Sequence, residues 1–516
     1  MLELLDWGKK QGEEATGSGS DAKPAGAAPA VEGDAGTALA DLNARLEGVA
    51  DAADPKARIG ALGAIQDAGA AQVAALLGQY LGGTAGTHAA REVLWNSLAG
   101  YQTRLAQALC AAAGAALTLA SATRALRALR VLAKLHLVHY AGMPGKLWRV
   151  AYAIHAGAER AGFAATPVRV RADEHTMTTV EQELLRLLML RVSAPDMMAP
   201  EQIEVADRVI EELGAEFTLR PPGVADNAFC FEPGSEFAPR RAQGRAPSAG
   251  ARYFGPGMGH DSLKRISRQL TAAGRDGFKA YGRDIAPGVQ QSAVQHLLLF
   301  WRDDCPYAPP AQASASGTLQ VVHGYDALWQ HLSRSRQGPA ALSLAEWSPA
   351  AAQPPETWPL RGEAGNELGA EVPAASRAWA KCGAVVGVSS GEDARWVGMV
   401  RRMHAQADGS LRADLAVLSR APRALSLREV VELGDDSAFT NASSRQFAVS
   451  GVNAVILAEG AGDAQPANLL VPAAAWKEGR VYETSEDPPR QLRTLQVVRR
   501  GDDFVRATFE WLTAPA

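Results

Sequence analysis

Apolar residues recur at helical spacing through much of the first three hundred residues. Leu39, Leu42 and Leu46 follow one another at intervals close to the 3.6 residues of a helical turn. Proline and glycine breaks divide the pattern into separate helices, and the stretch after Arg220 is rich in loop residues. The pattern predicts a helical domain over residues 37–165. It predicts a second helical region with loops over residues 166–310.

The helix predicted within residues 124–140 has two unlike faces. Leucines lie on one face, and Arg124, Arg127, Arg130 and Lys134 lie on the other. We interpret the leucines as a core face and the basic residues as a solvated face. The alternative is that the basic face binds an acidic partner.

After residue 310 the pattern changes to apolar and polar residues that alternate with a period of two. The last predicted strand, 504–511, alternates in this way, and Arg500–Asp503 before it fits a hairpin turn. Such sheets usually close into barrels. We predict one all-β region over residues 311–516. The fold class is α+β multidomain, with an Ala-rich helical N-terminal region followed by an all-β C-terminal region.

The first ten residues form a short amphipathic peptide. Its apolar residues are Leu2, Leu4, Leu5 and Trp7. Residues 11–36 are rich in Gly, Ala, Ser, Pro and acids, which is typical of a disordered linker. An apolar peptide on a flexible tether suits docking into a groove of a protein partner. The alternative is a frayed terminus without a partner.

Charge and cysteine content exclude several classes of protein. The 516 residues carry 52 Lys and Arg against 56 Asp and Glu, a net charge of −4, which disfavours binding to bulk nucleic acid. The four cysteines form no C-x-x-C pair, so a zinc ribbon or a disulfide scaffold is a poor fit. The N-terminus does not resemble a signal peptide, and the uncharged stretch 105–122 consists mostly of Ala and Gly. We therefore expect a cytoplasmic protein without a transmembrane segment.

No standard catalytic or metal-binding motif is present in the sequence. Phosphate-binding loops, nucleophile elbows and zinc-protease helices are all missing. His136, His139 and His155 lie among apolar residues without a nearby carboxylate, which favours a structural role over metal binding. We therefore predict no catalytic residues, no metal site and no cofactor. The chain is predicted not to be an enzyme.

One pair of arginines is a candidate for ligand binding. Arg401 and Arg402 end a predicted strand, where two guanidinium groups at a barrel rim would bind phosphate. The alternative is that they pair with Asp414 or Glu429 on neighbouring strands. Arg499–Arg500 before the last hairpin allows the same two interpretations, and a phosphate site would need several such arginines to converge.

Part of the β region resembles a PilZ-like barrel. The residues that carry the resemblance lie in 394–403 (ARWVGMVRRM), 411–420 (LRADLAVLSR) and 422–428 (PRALSLR). Residues 358–369 are similar to the strand and turn that carry the [DN]-x-S-x-x-G motif of that family. The chain resembles the atypical, degenerate PilZ proteins of proteobacteria that have a long helical N-terminal region. This resemblance implies a PilZ-like barrel over 311–430 and leaves an additional β region over 431–516, which is either a second barrel or an extension of the first.

PilZ domains of the usual kind bind cyclic di-GMP through an R-x-x-x-R motif and the [DN]-x-S-x-x-G turn. This sequence departs from both motifs, because residues 306–313 contain no arginine and only Gly369 of the turn matches. Asn366 stands where the serine would be, and Ala364 stands where the acid or amide would be. The resemblance implies weak or lost nucleotide binding. Together with the two arginines at the barrel rim, the turn gives four candidate ligand-binding residues: Arg401, Arg402, Asn366 and Gly369.

These observations together predict a non-enzymatic regulator or adaptor. It resembles the effectors of cyclic di-GMP and is predicted to act through contacts with a protein partner. The sequence leaves open whether cyclic di-GMP is a ligand. The alternative is a structural scaffold or chaperone-like subunit of a cytoplasmic complex that binds no nucleotide.

Overall fold

The computed structural model divides the chain into two compact units, Met1–Tyr307 and Ala308–Ala516. The peptide predicted at residues 1–10, with Leu2, Leu4, Leu5 and Trp7, lies outside the described residues, and so does most of the predicted linker. The described residues are 34–49, 54–82, 88–171, 174, 176–221, 228–242, 250–274, 276–282, 284–305, 313–333, 354–391, 394–406, 408–430, 451–458 and 467–512.

The unit Met1–Tyr307 is built mainly from α-helices. They are α1 (Asp34–Val49), α2 (Pro55–Leu81), α3 (His88–Ala115), α4 (Leu119–Val138), α5 (Gly145–Arg160), α6 (Val180–Val192), α7 (Pro200–Leu213), α8 (Gly259–Ala273) and α9 (Pro287–Phe300). Thr118 and Ser121 form a reciprocal capping box that fixes the start of α4. A single apolar core extends from Leu39 to Trp301, so the two predicted helical regions on either side of residue 165 share one core.

A small antiparallel sheet occupies part of the stretch that the sequence indicated as loops. Its strands are β1 (Thr218–Leu219), β2 (Phe229–Phe231), β3 (Arg240–Arg241) and β4 (Arg252–Gly255), in the order β1-β4-β2-β3. The rings of Phe229 and Phe254 are 5.7 Å apart and fully buried. Strands of two to four residues are too short to show a period of two, so the sequence pattern missed them.

The interpretation of the basic face of α4 as solvated is wrong. Arg130 contacts Asp207 of α7 at 2.8 Å, and each of these side chains is only 5% exposed. Lys134 Nζ lies 2.9 Å from carboxylate oxygens of both Glu204 and Asp207. The acids that neutralise Arg130 and Lys134 come from α7, whereas Arg124 binds Asp67 of α2 and Arg127 binds Glu174 and Glu183. The periodicity of a single helix cannot indicate such partners. The basic residues therefore bind an internal acidic surface rather than solvent or an outside partner.

Helix α2 is long and apolar enough to cross a membrane by length and composition alone. Its residues Leu62, Ile65, Leu76 and Leu77 are buried in the core of the helical unit. A core helix passes the same length and composition test as a membrane span. It is the one described helix that does so.

His155 of α5 gives the helical unit a predictable dependence on pH. Its ring is buried, with Nδ1 3.6 Å from Glu159, which in turn binds Arg252 at 2.9 Å. The pKa of His155 is lowered from 6.5 to about 4, mainly by burial. The charge of Glu159 opposes this shift, and the charge of Arg252 adds to it. An unfolded chain gains a proton near pH 6.5, whereas the folded one stays neutral until about pH 4. This contribution to stability is therefore present above pH 6.5 and is lost as the pH falls to about 4.

We expect the His155→Asn variant to lose less stability than the wild type when the pH is lowered from 7 to 4.5. Urea unfolding followed by far-ultraviolet circular dichroism at both pH values measures the difference. Equal losses in the two proteins would mean that His155 is protonated alike in the folded and unfolded chains.

The unit Ala308–Ala516 contains two closed antiparallel barrels. The first has the order β10-β7-β6-β5-β8-β9. Its strands are β5 (Ala313–His323), β6 (Glu356–Ala364), β7 (Glu367–Glu371), β8 (Val385–Ser389), β9 (Arg395–Ala405) and β10 (Leu411–Ser419). The predicted fold class, helices followed by β-barrels, is confirmed.

The second barrel has the order β11-β12-β13-β16-β15-β14. Its strands are β11 (Arg423–Glu429), β12 (Val452–Ala458), β13 (Ala467–Pro472), β14 (Val481–Thr484), β15 (Gln491–Arg500) and β16 (Phe504–Leu512). The additional β region is thus a second barrel and not an extension of the first. Strand β11 pairs with β12 and β14, so a first barrel predicted to extend to residue 430 included a strand of the second.

Helix α10 (Tyr325–Ser333) lies between the two barrels. Tyr325 and Leu328 pack in one apolar cluster with Val385 of the first barrel and with Val455 and Phe504 of the second. The Tyr325 hydroxyl hydrogen-bonds to backbone carbonyls of β12 and β13 at 2.8 and 3.0 Å. The helix therefore joins the outer walls of the barrels.

Candidate ligand-binding site

A bulge in β9 places Arg401 and Arg402 at the centre of the predicted site. Asp414 of β10 is opposite Arg402, but the next residue, Leu415, is opposite Val400, so Arg401 is an extra residue. Neighbouring residues of a regular strand point to opposite faces, and a bulge changes this alternation. Val400 and Leu415, which pair next to the bulge, are both fully buried.

Arg401 contacts Glu367 of β7, with Nη1 2.7 Å from Oε1. The Arg401 side chain is 39% exposed, whereas that of Glu367 is only 12% exposed. The expected alternative partners were Asp414 and Glu429. Asp414 does lie opposite Arg402, but Glu429 binds Lys477 in the second barrel. The sequence missed Glu367, although it belongs to the turn segment that carries the resemblance.

Asn366 and Gly369 lie on either side of Glu367, at the hairpin between β6 and β7. Asn366 is exposed, and its carbonyl accepts a hydrogen bond of 2.7 Å from the Val417 backbone. Gly369 is buried and pairs with Asp414 of β10. Arg402, Asp414 and Gly369 therefore stand in one row across β9, β10 and β7. The structure thus brings the four predicted ligand residues to one region of the first barrel.

An open cleft of about 390 Å³ lies beside this row. Its lining residues are Arg361, Glu371, Gln406, Asp408, Ser410 and Arg412. Arg412 connects the cleft to this row, because its Nε lies 3.6 Å from Oδ1 of Asp414. Arg361 binds Glu371 at 2.6 Å, and hydrogen bonds from Ser410 lower the pKa of Asp408. The cleft therefore carries charges of both signs.

The usual arginine motif cannot be placed at this barrel. Residues 306–312, where the family would carry it, lie outside the described residues and contain no arginine. The literal R-x-x-x-R of the sequence begins at Arg241, in the helical unit. Arg241 donates hydrogen bonds to the carbonyls of Phe300 and Arg302, which occupies its guanidinium group.

The helical region is similar to a known protein family. Residues 30–223 match the model described as the N-terminal domain of the cyclic-di-GMP receptor FimW. The match spans 194 residues, less than two-fifths of the chain, and covers α1 to α7 and β1. It confirms the resemblance to cyclic-di-GMP effectors that carry a long helical N-terminal region. The comparisons with curated proteins and with solved structures gave no match.

The histidines of the helical unit have structural environments. His139 stacks on Trp95 with ring centroids 4.0 Å apart, and its Nδ1 lies 3.0 Å from the Tyr80 hydroxyl. Burial lowers the pKa of His136. Among the residues that the structure describes, no group of three or more His, Cys, Asp or Glu is arranged to hold a metal ion.

Proposed function

We propose that this protein is a non-enzymatic effector of cyclic di-GMP that acts in the cytoplasm through a protein partner. The observation that carries the proposal is the match of residues 30–223 to the N-terminal domain of a cyclic-di-GMP receptor. The two barrels that follow support it, since the first places Arg401, Arg402, Asn366 and Gly369 together. The peptide at residues 1–10 is the proposed contact with the partner.

We further propose that the nucleotide binds weakly at the first barrel. The usual motif supplies two arginines, and each charge-assisted hydrogen bond is worth about 1.5–3 kcal/mol. Losing two such bonds weakens binding by roughly 10²- to 10⁴-fold. In addition, a phosphate that bound Arg401 would take it from Glu367, which is largely buried and would be left unpaired.

Isothermal titration calorimetry with cyclic di-GMP tests this proposal. We expect weak binding that the double variant Arg401→Ala, Arg402→Ala abolishes. We expect the Glu367→Gln variant to bind several-fold more tightly, because the amide releases Arg401 for the nucleotide. Arg428→Ala is the matched control, since this exposed arginine of β11 pairs only loosely with Glu483 at 3.4 Å.

Two results would contradict the proposal in different ways. Tight binding that the double variant leaves unchanged would place the nucleotide site elsewhere. No heat from any variant at high nucleotide concentration would favour the scaffold alternative, in which the barrels bind only protein.

A further inference from the structure

Two arginines of the second barrel face each other across neighbouring strands. Arg499 of β15 pairs directly with Arg506 of β16. Directly opposite residues share a face of the sheet, with their Cβ atoms about 4.5–5.5 Å apart. Like charges in this arrangement repel, so the pair weakens the apo barrel unless something neutralises it.

Neither arginine forms an ion pair with any acid that the structure describes. Arg506 donates one hydrogen bond, from Nε to the side-chain oxygen of Asn468 at 3.3 Å, and this acceptor is neutral. Both guanidinium groups are partly buried. Burial lowers the pKa of Arg499, the Cys382 thiol opposes that shift and Arg506 adds to it. Burial likewise lowers the pKa of Arg506. Partly buried cations without a carboxylate are costly, and an anion would remove that cost.

The first barrel contributes to the surroundings of this pair. Arg499 lies against Gly383, where an added Cβ would be only 3.0 Å from Arg499 Nη2. Gly383 also has a φ of +92°, which favours glycine at this position. Lys381, two residues earlier, binds Asp502 of the β15–β16 turn at 2.8 Å. The two arginines thus lie near the place where the segment before β8 meets the last hairpin.

We propose that Arg499 and Arg506 form a binding site for a phosphate-bearing ligand at the junction of the two barrels. A phosphate offers several oxygens that accept hydrogen bonds from two guanidinium groups at once, which a single carboxylate does less well. The site differs from the one at Arg401 and Arg402 of β9. It does not depend on the proposed function, because it is inferred from the second barrel and the segment before β8.

Calorimetric titration of the full chain with inorganic pyrophosphate at constant ionic strength tests this site. We expect the Arg499→Met variant to bind about 10- to 100-fold more weakly than the wild type. Arg500→Met is the matched control, since this neighbouring arginine is exposed, pairs with Val505 and carries the same charge. We expect it to bind as the wild type does. Without ligand, Arg499→Met is expected to melt no lower than the wild type, because it removes the repulsion.

A second variant covers the case in which Arg499→Met does not fold. Arg506→Gln retains a donor for Asn468 and is also expected to lose pyrophosphate binding. Equal binding by the arginine variants and by Arg500→Met would overturn the proposal, as would no binding by the wild type at millimolar pyrophosphate.

Cyclic di-GMP is titrated into the same proteins to identify the source of the phosphate. If cyclic di-GMP competes with pyrophosphate, and the Arg499→Met variant loses binding of both, the nucleotide binds at this site. The double variant of Arg401 and Arg402 could lose only the binding of cyclic di-GMP, while Arg499→Met loses only the binding of pyrophosphate. That result would support two separate sites. The site also stands if pyrophosphate binds through Arg499 while cyclic di-GMP binds nowhere, although the proposed function then fails.

Discussion

Replacing Asp207 with alanine is expected to lower the unfolding free energy of the helical unit by about 3–5 kcal/mol, the usual cost of removing one partner of a buried ion pair. Asp207 binds Arg130 at 2.8 Å and Lys134 at 2.9 Å. Its removal would leave both cations in a region where Arg130 is 5% and Lys134 is 12% exposed. Neither side chain can reach bulk water without disturbing the packing of α4 on α7.

The electrostatics of Asp207 support this expectation. Burial opposes ionisation of the carboxyl, but the charges of Arg130 and Lys134 outweigh it and hold the pKa of Asp207 below its ordinary value. The same surroundings keep the cations charged, since burial lowers the pKa of Lys134 but the two neighbouring carboxylates outweigh it. The group is thus ionised throughout the ordinary pH range, and deleting one charge leaves an uncompensated one.

Urea unfolding followed by far-ultraviolet circular dichroism measures the effect, because α1 to α9 all lie in the helical unit. Asp304→Ala is the control, since Asp304 pairs with Arg302 at 2.7 Å but is 74% exposed. An exposed pair of this kind contributes little to stability, because water screens the two charges. A loss from Asp207→Ala as small as that of the control would mean that water reaches the interface of α4 and α7.

This interface shows what the sequence of one helix can and cannot predict. The spacing of the leucines in α4 correctly indicates a helix with a core face. The sequence also shows that the opposite face is positively charged. Whether Arg130 and Lys134 on that face contact water or protein depends on the acids of α7, and Arg130 and Asp207 are 77 positions apart. Packing between distant segments therefore determines whether the basic face is buried, and periodicity does not show this.

The β region was easier to predict than the loop-rich stretch of the helical unit. The alternation in 504–511 and the hairpin turn before it correspond to β16 (Phe504–Leu512) and its pairing with β15. Long strands with one buried face carry a clear period of two. The closure into two barrels depends on pairing between distant strands, and so does the position of β11 in the second barrel. Alternation along a single strand does not encode this pairing.

The candidate ligand sites could likewise be predicted only in part from the sequence. Arg401 and Arg402 could be selected from the sequence because they are adjacent, but the bulge and the contact with Glu367 could not. Adjacency in the sequence groups Arg499 with Arg500, whereas the structure pairs Arg499 with Arg506 across a hairpin. Cross-strand register, rather than adjacency in sequence, determines which cations converge.

Replacing Tyr325 with phenylalanine is expected to destabilise the second barrel by about 1–3 kcal/mol, the usual cost of leaving buried hydrogen-bonding groups unpaired. The hydroxyl carries one proton, which it donates to the carbonyl of Asn453 on β12 at 2.8 Å or to that of Leu470 on the adjacent strand β13 at 3.0 Å. Burial raises the pKa of Tyr325, so the hydroxyl stays protonated. The phenylalanine ring retains the apolar contacts of α10 with both barrels. The loss therefore reports the hydrogen bonds and not a cavity.

Hydrogen exchange of peptides from β11 to β16 measures this loss locally, and we expect the amides of β12 and β13 to exchange faster. Tyr482→Phe is the matched control, because Tyr482 is equally a buried tyrosine of this barrel but its hydroxyl makes no hydrogen bond to the residues that the structure describes. Equal protection in the two variants would contradict a role for the Tyr325 hydroxyl. Faster exchange that extends to β8 and β9 in Tyr325→Phe alone would show that α10 transmits the loss to the first barrel, as its contact with Val385 leads us to expect.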